Sequence, residues 1–406
     1  MLNKKYRFYS LAASILEVLL LPFLLLACLM TRFRTALRRN PWIPEIFMGT
    51  MDINNWAYVA KSLIQKGYHV NLVVWNHPLY EGKAAPYEIV LGQRYPLLFR
   101  FKVIEYFVQF FLFPWAAWYH DVFITCFLGR LLDRTALLRW VELPLLKLAG
   151  KKIILNTYGA DVMTPRMTLG GRYKYSITEG YLKDRKYSSL SELEIKKNRD
   201  YCQKWADCII SAIDHVEYLN RVDEYFHMRC IDTSQFIPAY KKVNTIPVII
   251  HAPNHRLLKG TEYLITAVNE LNKEGIRCTL KIMEQRSHDE VFEEIIKADI
   301  VADQFLVGAY ARFAIEAMTL GKPVLCYLRE GLFQYNPIWN ECPIINSNPD
   351  NLKENLRRLI LMSPEERADI GRKGRKYVEK YHSIQYVGER MDQILKKVWG
   401  QGQTKK

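Results

Sequence analysis

Disulfide and metal-binding chemistry are what this chain lacks. Its eight cysteines, at positions 28, 126, 202, 208, 230, 278, 326 and 342, form no C-x-x-C pair. Several sit inside apolar runs, Cys208 in ADCII and Cys326 in VLCYL, as buried reduced thiols do and a disulfide framework does not. There is no H-E-x-x-H, no paired cluster of metal-ligand residues and no persuasive D-x-D at a strand end, so no metal is expected. Zinc-finger spacing and RNA-binding aromatic motifs are also missing, and no nucleic-acid partner is expected. No repeat of fixed period is evident, against a solenoid or propeller. Acid is short: 57 Lys+Arg against 42 Asp+Glu leaves 57 − 42 = +15. That excess calls for an anionic partner, either membrane lipid or a phosphorylated ligand.

What is present is a large, ordinary globular composition. Half of the 406 residues are hydrophobic, too many for disorder, and the length suits two cores better than one. From Leu11 to Met30 the only charge is Glu17, with Lys4, Lys5 and Arg7 before the run and Arg32, Arg34, Arg38 and Arg39 after it. Twenty residues suffice to cross the hydrocarbon. Three readings stay open: a membrane helix, an interfacial helix in the headgroups that tolerates Glu17 and Pro22, or a cleaved signal with a Leu25-Leu26-Ala27-Cys28 box.

Beyond Glu45, short apolar strands alternate with helices, the pattern of an α/β parallel sheet. Strands are expected at 46–48, 70–75, 121–125, 152–156 and 208–211, then at 248–251, 278–283, 300–303 and 324–328. Helices are expected at 54–65, near 143–148, at about 214–220 and at 261–273, 289–297, 351–361, 364–381 and 384–399. The stretch from Pro96 to Trp118 is densely aromatic, either a long buried helix or a membrane-docking surface. Residues 167–199 read as an irregular polar lobe. Pro, Lys and Asn around 238–244 mark a linker. The division expected is 1–41 as hydrophobic anchor and basic flank, 42–238 and 239–382 as two domains, and 383–406 as a final helix and tail.

Two motifs carry the chemistry. His251-Ala252-Pro253-Asn254-His255-Arg256-Leu257-Leu258-Lys259-Gly260-Thr261 is a strand-end loop entering a helix, with Arg256 and Lys259 where two cations could hold a diphosphate. Gly308 to Leu328 reads GAYARFAIEAMTLGKPVLCYL: a glycine-bearing loop, a short helix bearing Glu316, a Gly321–Pro323 stop and a buried strand. Such a unit aims a helix N-terminus at an anion, and an acidic residue inside it can take ribose hydroxyls.

In Glu316-Ala317-Met318 and Gly321-Lys322-Pro323-Val324 the sequence resembles the E-x7-E retaining glycosyltransferases of group 1, family four, although the first glutamate falls at Gly308. Tyr158-Gly159-Ala160-Asp161 stands where that family carries His-Gly-Ser-Asp. The resemblance implies a GT-B fold of two Rossmann-like domains, here preceded by the N-terminal hydrophobic run expected to be a membrane-associated helix. It implies transfer of a sugar from a nucleoside-diphosphate-sugar to a lipid-linked or surface-glycan acceptor, with the catalytic domains cytoplasmic on an anionic membrane surface. Donor contacts would fall on His251, Asn254, Arg256, Lys259, Gly260, Gly308, Tyr310, Arg312, Phe313 and Glu316. Acceptor contacts would fall on His120, Tyr158, Gly159 and Asp161, and Asp161, Arg256 and Lys259 would serve catalysis. The nucleotide-sugar is the donor substrate, and no separate cofactor is implied. A same-fold epimerase and an inactive nucleotide-binding scaffold remain as alternatives, the latter because of Gly308 and Tyr158.

Overall fold

The computed structural model describes residues 4–38, 43–51, 55–75, 88–99, 102–159, 161–164, 173, 192–226, 228–240 and 244–400. Most of the lobe expected at 167–199 and part of the linker lie outside these residues.

Two parallel sheets organise the chain. The first has seven strands in the order β3-β2-β1-β4-β5-β6-β7. These are β1 (Glu45–Thr50), β2 (His69–Val74), β3 (Glu88–Val90), β4 (Val122–Cys126), β5 (Lys152–Asn156), β6 (Cys208–Ser211) and β7 (Glu224–Tyr225). The second has five in the order β12-β11-β10-β8-β9. They are β8 (Val248–His251), β9 (Thr279–Ile282), β10 (Ile300–Ala302), β11 (Val324–Cys326) and β12 (Ile345–Asn346). In both sheets the order doubles back, at β1/β4 and at β8/β10, and α/β folds place ligands at the carboxyl ends of strands beside such a reversal. The central strands β4, β6, β10 and β11 are buried at every residue, because helices cover both faces of a parallel sheet.

Each sheet has an apolar layer on either face. One layer of the first sheet takes Phe110, Phe113, Ala116 and Ala117 from helix Lys102–Tyr119, and outside it Leu24 and Cys28 from the N-terminal helix Lys4–Leu37. The opposite layer combines helix Trp56–Gln65 with the last helix, Ile384–Gly400, whose Val387, Met391, Ile394 and Leu395 return from the second sheet to the first. That return is close: a Cβ on Gly388 would lie 2.9 Å from the Ser62 carbonyl. Tyr68 donates to Asp392 at 2.8 Å across the same seam. Helix Thr261–Lys273 buries Leu264, Ala267, Val268 and Leu271, a helical spacing that the sequence carries openly. All eight cysteines are free thiols, seven of them buried.

Candidate functional site

The site is built on β8, β10 and the helix Arg312–Thr319 that follows β10. Lys259 ends a four-residue helical turn, and Gly260, at φ 72°, reverses the backbone into helix Thr261–Lys273. A side chain at Gly260 would meet Phe305 Cβ at 3.3 Å and Leu306 Cγ at 3.2 Å. This tight contact brings the Lys259 ammonium onto Asp303, 2.6 Å from Oδ1. The other Asp303 oxygen accepts from the Ala311 amide at 3.0 Å, at the start of helix Arg312–Thr319. One carboxylate, wholly buried, thus ties the cationic loop to the helix N-terminus.

Glu316 lies a turn inside that helix, only 4% exposed. Its Oε1 accepts from Arg312 Nε at 2.6 Å and pairs with His288 Nε2 at 2.8 Å. Burial pushes the carboxyl up, but the His288 hydrogen bond and the Arg312 charge outweigh it and hold Glu316 below the usual carboxylate range. His288 is raised in turn, chiefly by its hydrogen bond to Glu316. His288 opens helix His288–Lys297, whose start is fixed by a Ser287–Glu290 capping box. A cleft of about 620 Å³ opens over this group, lined among others by Asn254, Glu284, Arg286, Arg312, Phe313 and Glu316.

Arg256 is exposed at the rim, paired with Glu284 at 2.8 Å and Glu262 at 3.1 Å. Gly308 sits at φ 89°, and a Cβ there would lie 2.8 Å from Arg329 Cβ. The family's first glutamate therefore has no room at this backbone position. Arg329 reaches across to Glu217, beyond the end of β6, at 2.8 Å, and the Arg312 guanidinium lies 5.8 Å from the Tyr58 ring centroid. Both contacts join the second sheet's half to the first.

Of the expected site residues Asn254, Arg312, Phe313 and Glu316 line the cleft, and four others are buried away from it. His251 is fully buried with both ring nitrogens engaged, Nδ1 on the Ala302 carbonyl and Nε2 on the Thr261 hydroxyl, each at 2.8 Å. Burial pulls it down to about 4, so it is a neutral strut between β10 and helix Thr261–Lys273. Tyr310 is fully buried, its hydroxyl bonded to Tyr377 at 3.0 Å and His382 at 2.8 Å. It belongs to the core beneath the loop, not to a sugar pocket. His120 precedes β4, at the end of the strand opposite to a ligand site, and spends Nδ1 on the Ala116 carbonyl and Nε2 on Asn71. Asp161 is fully buried and accepts from the Gly159 and Tyr158 amides at 2.9 and 3.1 Å. Burial lifts its carboxyl to about 7, and one of its oxygens closes the turn after β5.

Tyr158 and Gly159 remain at the carboxyl end of β5. Gly159 has φ 134°, and a Cβ there would come within 3.7 Å of His215 Nε2. His215, bonded to the Thr157 hydroxyl at 2.8 Å, stands beside this turn, and Glu284, Arg286 and His288 line the cleft; none of the four was expected from the sequence. His288 had a usable signal: Ser287-His288-Asp289-Glu290 is a capping-box pattern that places the histidine at a helix start. Among the described residues no group of three or more His, Cys, Asp or Glu side chains is placed to hold a metal ion.

No protein-family model matches the chain, and no curated protein matches it either. Solved structures do. Sucrose-phosphate synthase from Thermosynechococcus elongatus is 14% identical, with a TM-score of 0.57, covering 88% of this chain and 99% of that one. HepE of Anabaena, solved in complex with UDP-glucose, is 13% identical, with a TM-score of 0.53, covering 87% of this chain and 100% of that one. A glycosyltransferase from Rickettsia africae ESF-5 is 13% identical, with a TM-score of 0.52 and coverage of 88% and 99%. At such identities the likeness is one of fold, and the fold of this chain is the two-domain GT-B architecture of glycosyltransferases.

Proposed function

We propose that the protein is a retaining glycosyltransferase that takes a sugar from a nucleoside-diphosphate-sugar and passes it to a lipid-linked or glycan acceptor. The observation that carries the reading is Glu316: a buried carboxylate at the floor of a 620 Å³ cleft, held on one oxygen by Arg312 and His288. Ribose hydroxyls are suited to such an acceptor, and a diphosphate is suited to the N-terminus of helix Arg312–Thr319 with Lys259 and Arg256 nearby. HepE, which shares the fold, is described with UDP-glucose, with UDP and with UDP and glucose. In the reaction the bond from the anomeric carbon to the diphosphate breaks and a bond to the acceptor hydroxyl forms on the same face. The acceptor's proton passes to the departing diphosphate. Protein groups position the partners and meet the diphosphate charge, without a metal in this reading.

A second reading, a nucleotide-binding scaffold without transfer, is favoured by Gly308, where the backbone excludes the family's glutamate. One experiment separates the two. Titration of UDP, ADP and GDP into the full chain should show micromolar or tighter binding of one of them, and the matching nucleotide-sugars should be slowly hydrolysed. Binding without hydrolysis, or without transfer to any acceptor in a membrane extract, favours the scaffold. Binding of none rejects both.

A further inference from the structure

We propose that the N-terminal helix does not cross a membrane but lies along it, clamped to the first sheet's half and presenting an apolar stripe to one leaflet. The inference stands independently of the transfer reading.

By composition the run Leu11–Leu37 is apolar enough to span, its most apolar 18-residue stretch having a mean hydropathy of 2.4. Its contacts say otherwise. Glu17 is fully buried and accepts four hydrogen bonds: from the Tyr106 hydroxyl at 2.5 Å and from the amides of Ala136, Leu137 and Leu138 at 2.9, 2.7 and 3.1 Å. Seventeen positions later Arg34 donates to the Trp118 carbonyl at 2.6 Å, its guanidinium 4.6 Å from the Trp118 ring centroid. Between these clamps Leu24, Cys28 and Thr31 are buried. The clamped length is about 26 Å at 1.5 Å per residue, close to the roughly 30 Å of a bilayer's hydrocarbon. The segment that would have to cross is therefore the segment already docked. Pulling it free would put a carboxylate in hydrocarbon and strip three amides of their acceptor.

The opposite side of the same helix is bare. Leu11, Ile15, Leu19, Phe23, Leu26 and Phe33 are each more than half exposed, on a helical period. Helix Lys102–Tyr119 runs alongside in the same direction, with Tyr106 at Glu17 and Trp118 at Arg34, and adds Phe111, 75% exposed. Between the two helices lies an almost wholly apolar cleft of about 470 Å³, lined by Leu29, Met30, Phe33, Arg34, Leu37 and Trp118, of a size and lining suited to an acyl chain. Exposed Arg32 and Arg38 follow the stripe, and the chain's net charge is +15. A broad apolar face beside arginines fits an anionic bilayer surface; a second copy of so basic a chain would bring like charges together.

Tags on both termini of the full chain, tested by protease on sealed inside-out and right-side-out bacterial membranes, read the topology. Both tags should be cut from the same side, and tags cut from opposite sides overturn the proposal. The triple variant Leu19→Ser, Phe23→Ser, Leu26→Ser touches only the bare face. It should keep its Tm yet lose flotation on phosphatidylglycerol/phosphatidylcholine vesicles by roughly a hundredfold. Unchanged flotation overturns the proposal, as does a wild-type dimer in detergent that the triple variant abolishes. Glu17→Leu completes a perfect spanning run: here it should lower Tm, and a raised Tm with opposite-side tags would show that the helix spans.

Discussion

Glu316→Gln tests the nucleotide reading most directly, and the structure changes what the substitution should do. The side chain is 4% exposed and shares one oxygen between Arg312 and His288. Glutamine keeps the shape, exchanges one acceptor oxygen for an amide donor and deletes the charge. A hydrogen bond to a charged group contributes about 1.5–3 kcal/mol, so losing one ribose contact should weaken binding roughly ten- to a hundredfold. The substitution also leaves Arg312 and His288 facing a neutral group, so the unliganded protein should melt earlier as well. The two effects separate in titration calorimetry below the variant's melting range. The ribonucleoside diphosphate should lose affinity by the full factor, and its 2′-deoxy analogue, which already lacks one donor, by clearly less. Equal losses for the two ligands would mean that Glu316 only holds Arg312 and His288 in place, and the ribose would have to be sought elsewhere.

The two clamp cations should behave differently: Lys259→Ala leaves the wholly buried Asp303 without its ion pair, costing about 3–5 kcal/mol of stability, whereas exposed Arg256→Ala should leave Tm nearly unchanged and weaken only diphosphate binding. Thermal melts of both variants with and without UDP check this. His288 is raised from 6.5 by Glu316, so its contribution is complete below that value and is lost as pH rises through the folded one. Glu316 is held below 4.5, so its contribution is complete above that value and is lost in stronger acid. The pair is strongest between pH 4.5 and 6.5, and the Tm gap between wild type and His288→Asn should narrow as pH is raised from about 6 to about 9. Gly308→Glu should melt earlier and gain no activity, since φ 89° and Arg329 Cβ at 2.8 Å oppose any side chain there; a more active variant with unchanged Tm would refute that geometry.

The fold was legible where apolar runs were long enough to declare themselves. All nine expected strands exist; the central ones show as unbroken apolar runs because a parallel strand buried on both faces needs one, while β9, at a sheet edge, alternates Thr-Leu-Lys-Ile. The strands missed are β3, β7 and β12, three, two and two residues long at sheet edges, too short to show any period. The helix expected near 214–220 is a 3₁₀ turn, Ile213–Tyr218. At the site, Glu316 and Lys259 could be read from motif and spacing, but Tyr310 could not. Its burial is set by Trp339, Tyr377 and His382, which arrive from far along the chain. His120 could have been set aside on sequence alone, since it precedes its strand and so stands at the wrong end of the sheet. Glu17 looked like a blemish in a spanning run, and its four partners lie about 90 to 120 residues away.

The geometry around Gly308 bears on how a sugar would be held. Where the resembled family places a carboxylate, this chain has bare backbone, and the nearest side chain is a cation, Arg329, committed to Glu217 beyond the end of β6. The same ion pair bridges the two halves, so the residue that closes off the glutamate's space is also held to the first half. A carboxylate that grips particular sugar hydroxyls discriminates strongly, because the wrong sugar leaves it unpaired. Backbone amides offer fewer and less directional contacts. Under the proposed function, the nucleotide end of the cleft, built around Glu316, would therefore set donor affinity. The sugar end would discriminate less, and selectivity would fall to the acceptor side, between the ends of β5 and β6, where His215 and Glu217 stand.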